Sequence, residues 1–372
     1  MTLVLAGQPR AEVLLNAGLR EPAHAYLLHG PAGTGKRDAA RAFAAALLGC
    51  DVRRIVPGSH PDLAMIEPEG EALLVDQVHE LSGALRYRPQ EAVRRVGIVD
   101  EADRLNRDAA NAFLKTLEEP PGDVVLLLIA DDLQRVLPTV RSRCQPIAFP
   151  PLAASAIATR LADDGLDAAA AQRIGARARG DLAFARRLAA DEAVGTWIEA
   201  VERDVVALLT AGLAEDAAVQ RTYAGIKAVG DAAEAEAVAT TAAQLDRLDR
   251  LPSSRELDRE RKRIETSGKT TASRRRRRAE TDMMRAVIAT VQLVIRDSLC
   301  VQADAADRIG SGAPADALAQ VAERIPRARL EQALAGVDDV RRALAQPINV
   351  PLALAAVYAR VGLARRREAV TA

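Results

Sequence analysis

The residues best placed to do chemistry begin at Gly30. Gly30-Pro-Ala-Gly33-Thr34-Gly35-Lys36 follows the pattern G-x-x-x-x-G-K. Glycines at those positions let the backbone curl so that successive N–H groups converge on phosphate oxygens, and the lysine reaches the outer phosphates. The next position departs from that chemistry. A hydrolysing phosphate loop places Ser or Thr there to ligate Mg²⁺, whereas this chain has Arg37. Arginine cannot coordinate a cation and brings a fixed positive charge to the metal position. A second set of polar residues follows at Asp100-Glu101-Ala102-Asp103. Paired carboxylates after an apolar strand can orient Mg²⁺ and activate water when a phosphate loop shares the same layer. Asp103 could instead cap a helix beginning near Arg104.

Such groups need elements to hold them. Short apolar runs at Ala25–His29, Leu63–Glu67, Val96–Val99, Val124–Ala130 and Pro146–Phe149 read as strands covered on both faces. Between them, Arg37–Leu48, Val75–Leu85 and Asn106–Glu119 carry apolar residues at helical spacing. Alternating strand and helix predicts an α/β domain with a parallel sheet over residues 1–150. Pro150-Pro151 closes it. Helices alone follow, with a smaller helical domain expected over 151–206, broken near Asp163–Leu166 and at Gly180. A second helical domain is expected over 207–372. Within it a charged insertion spans about 249–282, opening on Leu251-Pro-Ser-Ser and ending in Arg274–Arg278. Residues 250–285 carry 13 positive and 6 negative side chains, which reads as a solvated helix or mobile loop.

Composition excludes several classes. Hydrophobic residues make up 49% of the 372-residue chain and charged residues 27%, so it is neither wholly disordered nor membrane-embedded. Lys+Arg and Asp+Glu balance at 51 each, so no global field marks a nucleic-acid coat. Cys50, Cys144 and Cys300 are too scattered for a disulfide framework, and the N-terminus lacks an export signal, so a reduced, cytoplasmic setting is expected. The four histidines show no i,i+4 pair, which speaks against zinc hydrolase chemistry.

Two further segments carry a resemblance. Asn106–Pro121 reads NRDAANAFLKTLEEPP, and Leu137–Cys144 reads LPTVRSRC. With the phosphate loop and the acidic box in this order, the chain resembles clamp-loader ATPases of the AAA+ class. The segment QPINVPLAL, from Gln346 to Leu354, is similar to the close of their C-terminal domain, so the resemblance runs from about Ala23 to Val361. It implies an α/β AAA+ P-loop domain with a parallel sheet, an all-α lid and an all-α C-terminal collar domain. It also implies that Arg143 is an arginine finger acting in trans on a neighbour's ATP. The implied partners are gamma/tau-like and delta-like subunits in a hetero-oligomeric ring, the sliding clamp, and primed DNA through the assembly, with no membrane.

Departures from the family refine the expectation. Arg37 stands for the metal-binding hydroxyl, Ala130 followed by Asp131 for the polar sensor, and Ala183 for the lid arginine, with Arg186 and Arg187 one turn on. The donor motif Ser142-Arg143-Cys144 is intact. ATP is thus the implied nucleotide, its binding left open and its hydrolysis not expected. The residues expected at the nucleotide are the degenerate loop (Gly30, Gly33, Thr34, Gly35, Lys36, Arg37), with Asp100 and Glu101 as the catalytic acidic pair. The four-cysteine module of many bacterial relatives is missing, since Cys50 has no second cysteine nearby, and no zinc is expected. The alternatives are an active gamma/tau-type motor, against which Arg37 and Ala130 speak, and a P-loop kinase or nucleotide switch outside replication. Of the remaining features, Trp197 and Phe184 read as core, Cys144 as packing, and Arg274–Arg278 as solvated because no aromatic residues interleave to stack on bases.

Overall fold

The computed structural model describes residues 2–56, 59–68, 72–211, 215–250, 255–305, 308–344 and 349–365. The opening of the expected insertion (251–254) and the start of the QPINVPLAL segment (346–348) lie outside the described residues. The chain divides into two compact units, Met1–Arg186 and Arg187–Ala372.

The first unit alternates α1 (Pro9–Arg20), β1 (Ala25–His29), α2 (Lys36–Leu48), β2 (Leu63–Ile66), α3 (Val75–Leu85), β3 (Arg95–Val99), α4 (Arg107–Glu118), β4 (Val124–Ala130), the single turn α5 (Pro138–Arg141) and β5 (Gln145–Ala148). The five strands are parallel in the order β2-β3-β4-β1-β5. Because successive side chains on a strand point to opposite faces, Tyr26 and Leu28 pack into the layer holding Phe43 of α2. Ala25 and Leu27 pack into the layer holding Phe113 of α4. Tyr26 and Phe43 meet edge to face at 5.2 Å, a geometry that aromatic rings favour. Each such fully buried side chain stabilises the fold by about 1.5–3 kcal/mol.

The sheet order positions the chemistry. β4 lies between β1 and β3, so the phosphate loop after β1, the residue after β4 and the acids after β3 emerge in a row at one edge, where α/β folds bind ligands. α4 starts from Asn106, whose Oδ1 accepts from the N–H of Ala109 at 2.7 Å. Asp103 therefore does not cap this helix. After the sheet come α6 (Ala154–Asp163), α7 (Ala168–Arg177) and the start of α8 (Leu182–Ala190). The breaks expected near 163–166 and at Gly180 are present, the second at φ +88°.

The second unit is helical: α9 (Glu192–Thr210), α10 (Glu215–Asp249), α11 (Arg255–Gln302), α12 (Ala315–Arg324), α13 (Arg327–Ala343) and α14 (Val350–Arg365). The boundary expected at 206/207 falls inside α9. The charged segment is an ordered helix, not a loop, continuous with the apolar stretch after Met283. It runs antiparallel to α10. A Cβ at Gly230 would come within 2.7 Å of Glu280, and one at Gly268 within 2.4 Å of Thr241. The facing Ala237, Ala272 and Ala279 are buried. Small residues let the two helices approach closely enough to exclude water without large side chains. Arg276 pins the pair, at 3.1 Å from Asp231 and 3.0 Å from both Glu234 and Glu280. At the base, the hydroxyls of Thr222 and Tyr358 meet at 2.7 Å in a buried contact.

Candidate functional site

The phosphate loop is built on left-handed backbone. Gly33 and Gly35 sit at φ +74° and +86°, conformations that only glycine adopts freely. Gly30 is required for space as well, since a Cβ there would lie 2.0 Å from the carbonyl oxygen of Phe149. Thr34 is buried and donates to the carbonyl of Pro31 at 2.9 Å. Gln8, ahead of α1, donates through Nε2 to the carbonyls of Thr34 (3.1 Å) and Pro150 (2.9 Å). That tie lies outside every motif, and its 26- and 142-residue separations hid it from a reading of local spacing.

Lys36, the first residue of α2, is buried, and its Nζ turns back into the loop. It donates to the carbonyls of Gly30 (2.5 Å) and Pro31 (2.6 Å) and pairs with Asp131 at 3.0 Å. Asp131 follows β4, at the position where the family resemblance implies a neutral polar sensor. Ala130 before it is fully buried in the sheet. Burial, then the charge on Lys36, holds His29 below its ordinary range.

Arg37 crosses to the acidic turn. Its Nε lies 2.5 Å from Oδ2 of Asp100 and its Nη2 lies 2.7 Å from Oε1 of Glu101. Glu101 also pairs with Arg104 at 2.9 Å and takes a left-handed backbone at φ +53°, uncommon for a non-glycine residue. Burial opposes the charge on Arg37, but Asp100, Glu101 and Asp131 outweigh it and hold the guanidinium above its ordinary range. Burial pushes Asp100 and Glu101 above the usual carboxylate range even against the pull of the neighbouring arginines. Asp103 is raised by burial and then by Asp131, whose backbone N–H it accepts at 3.2 Å.

A third acid reaches the loop. A Cβ on Gly33 would fall 1.8 Å from Oδ1 of Asp181, and the N–H of Leu182 donates to the Gly33 carbonyl at 2.9 Å. The start of α8 thus lays a carboxylate on the phosphate loop. Arg186 points elsewhere, to Asp164 (2.9 Å) and Asp38 (3.5 Å).

These residues fit one part of a nucleotide site and not another. The glycine cradle and Lys36 suit a phosphate chain. The carboxylates that would hold Mg²⁺ are taken by Arg37, and Asp131 and Asp181 oppose an incoming polyanion. The residues do not fit a metal-assisted hydrolytic centre. Among the described residues no group of three or more His, Cys, Asp or Glu side chains could hold a metal ion.

Arg143 belongs to a separate place. It follows α5 and donates through Nη1 to the carbonyl of Thr139 (2.9 Å) and to Ser142 Oγ (3.3 Å), while Nη2 pairs with Glu118 at the end of α4. About a third of its side chain, 34%, remains exposed. None of these contacts is with residues 30–37 or with the acids at 100–103. Cys144 beside it is buried, which pushes its thiol up to about 12. A thiol so held is inert as a nucleophile.

Residues 11–153 match the family described as DNA polymerase III, delta subunit. The chain is 43% identical over 149 residues to the DNA polymerase III subunit delta' of Pseudomonas aeruginosa, covering 36% of this chain and 45% of that protein. It is 36% identical over 167 residues to the subunit delta' of Bacillus subtilis, covering 41% and 51%. To the subunit tau of Bacillus subtilis it is 33% identical over 164 residues, covering 40% and 29%. The chain spans about half the length of the delta' relatives it matches.

Proposed function

We propose that this chain is a clamp-loader subunit of the delta-prime type in a bacterial DNA polymerase III holoenzyme, a cytoplasmic stator that donates Arg143 to the ATP of a neighbouring gamma/tau-like subunit. The observation that carries this reading is an asymmetry. Arg37 occupies Asp100 and Glu101, so this chain has no hydrolytic set of its own, yet Arg143 stands partly exposed in an intact Ser-Arg-Cys motif. An arginine supplied in trans stabilises the charge of phosphoryl transfer and raises turnover by roughly 10³–10⁵. The subunit thus contributes by completing a neighbour's centre. Helices α6–α8 would act as its lid and α9–α14 as the collar that joins the ring, with a delta-like subunit, the sliding clamp and primed DNA as partners of the assembly. ATP binding by this chain is not needed for that role.

The test is ATP turnover by the chain alone, then by a ring reconstituted with wild-type, Arg143→Ala or Lys36→Ala protein. The reading requires no turnover by the chain alone, a fall of roughly 10³-fold or more at the completed site for Arg143→Ala, and near-normal turnover for Lys36→Ala. Turnover by the isolated chain that Lys36→Ala abolishes would make it a motor instead.

A further inference from the structure

The α10–α11 hairpin has two unlike sides. Its inner arginines are neutralised: Arg276 by Asp231, Glu234 and Glu280, and Arg261 by Asp249 (3.1 Å) and Glu265 (3.3 Å). The outward side of α11 carries Arg255, Arg259, Lys262, Thr266, Thr270 and Arg277 at spacings of four, three, four, four and seven. Those spacings align them along one helix face, and all six are exposed. Position 273, which completes the line, is Ser. The line itself holds cations and hydroxyls, while exposed Asp258 and Glu265 flank it three or four positions from Arg255 and Lys262. From Arg255 to Arg277 it is ~33 Å long at 1.5 Å per residue, close to the ~34 Å of one duplex turn. The close helix approach at Gly268 and the Arg276 network fix this stretch of α11 against α10.

We propose that this face of α11 is a sequence-independent contact for the phosphate backbone of duplex DNA. A row of exposed cations binds phosphates by releasing condensed counterions and reads no bases. Single strands are a poorer match, because no Phe, Tyr or Trp occurs between residues 224 and 357 to stack on unpaired bases. A lipid surface is poorer still, because the face has no apolar side chain to insert. The choice of DNA among polyanions rests on the clamp-loader reading; the phosphate chemistry does not.

The experiment is a titration of the full chain with a fluorescent duplex of about 30 bp, roughly three turns, over a range of salt concentrations. The wild type should bind with an affinity that falls steeply with salt. The triple variant Arg259→Gln/Lys262→Gln/Arg277→Gln should bind at least about tenfold more weakly at low salt, with the log–log salt slope reduced by roughly 2–3. Arg261→Gln, which removes a paired inner arginine, should leave the slope within about one unit of wild type. Should the triple variant lose helix content by circular dichroism, Arg277→Gln alone, expected to reduce the slope by about 1, carries the same test. No duplex binding at low salt, an unchanged slope in the triple variant, or tighter binding to vesicles of anionic lipid than to the duplex would each overturn the proposal. Ring turnover with Arg143→Ala is read independently, so failure of the arm and failure of the stator reading can be told apart.

Discussion

Arg143 and Glu118 form an ion pair that joins the turn after α5 to the end of α4, with 34% of the arginine and 48% of the glutamate side chain exposed. The arginine proposed to serve a neighbour is thus held by an acid of its own chain, in a contact that water weakens. Exposed pairs of this kind are worth about 0.2–1 kcal/mol, small enough to exchange for a phosphate.

Glu118→Gln should therefore release Arg143 at little structural cost. In a reconstituted ring, turnover should rise by up to about fivefold, the factor corresponding to ~1 kcal/mol. A fall comparable to that of Arg143→Ala would mean that Glu118 orients the arginine and does not merely park it.

Removing Arg37 exposes what it neutralises. Arg37→Ala leaves Asp100 and Glu101 largely buried without their bidentate partner. Because 40% of the arginine side chain is exposed, the loss is discounted to about 1–2 kcal/mol. Urea unfolding at neutral pH measures it. Arg37→Lys should recover only part of that loss, since an ammonium cannot span both acids.

Asp103 supplies a pH test. Its folded carboxyl is raised above the unfolded value by burial and Asp131. The folded state then holds the proton more tightly, so the stabilisation from protonation is complete below the unfolded value near 4 and is lost as pH rises through the folded value. Asp103→Asn keeps the acceptor for the Asp131 N–H and abolishes the ionisation. Its urea midpoint should exceed that of wild type at pH 7, and the gain should shrink as pH is lowered toward 4. A gain that does not depend on pH would remove the electrostatic explanation.

Nucleotide affinity tests the acids at the loop. Asp131 pairs with Lys36, and Asp181 lies on Gly33. The double variant Asp131→Asn/Asp181→Asn should bind a fluorescent ATP analogue at least about tenfold more tightly than wild type, a gain of ~1.4 kcal/mol. Equal affinities would show that neither carboxylate guards the loop.

Much of this was legible in the sequence, for identifiable reasons. Strands covered on both faces announce themselves as continuous apolar runs, and β4 is found at Val124–Ala130 as read. The glycines at 30, 33 and 35 are informative because few other residues tolerate their conformations. What escaped depends on residues brought together by topology. Asp131 meets Lys36 because β4 lies beside β1, and Asp181 meets Gly33 across 148 positions; neither spacing is a motif. Asp103 was a fair candidate for a helix cap, but Asn106, three residues on, is the residue whose side chain reaches the free N–H. The packing of the charged run before Met283 was not legible because its apolar face is made of Ala and Gly. Residues that small leave almost no hydrophobic signature, even where two helices touch.

The guanidinium between Asp100 and Glu101 is tethered to α2 and cannot dissociate. A chelator, or a swing in free magnesium, would strip the corresponding position in a conventional ATPase and leave this one unaltered. Within the proposed ring, whose other members would relax and tighten with each round of fuel, such a subunit would be a datum. Its local field would be the same before and after a neighbour's hydrolysis, and the displacement of those neighbours could be measured against it.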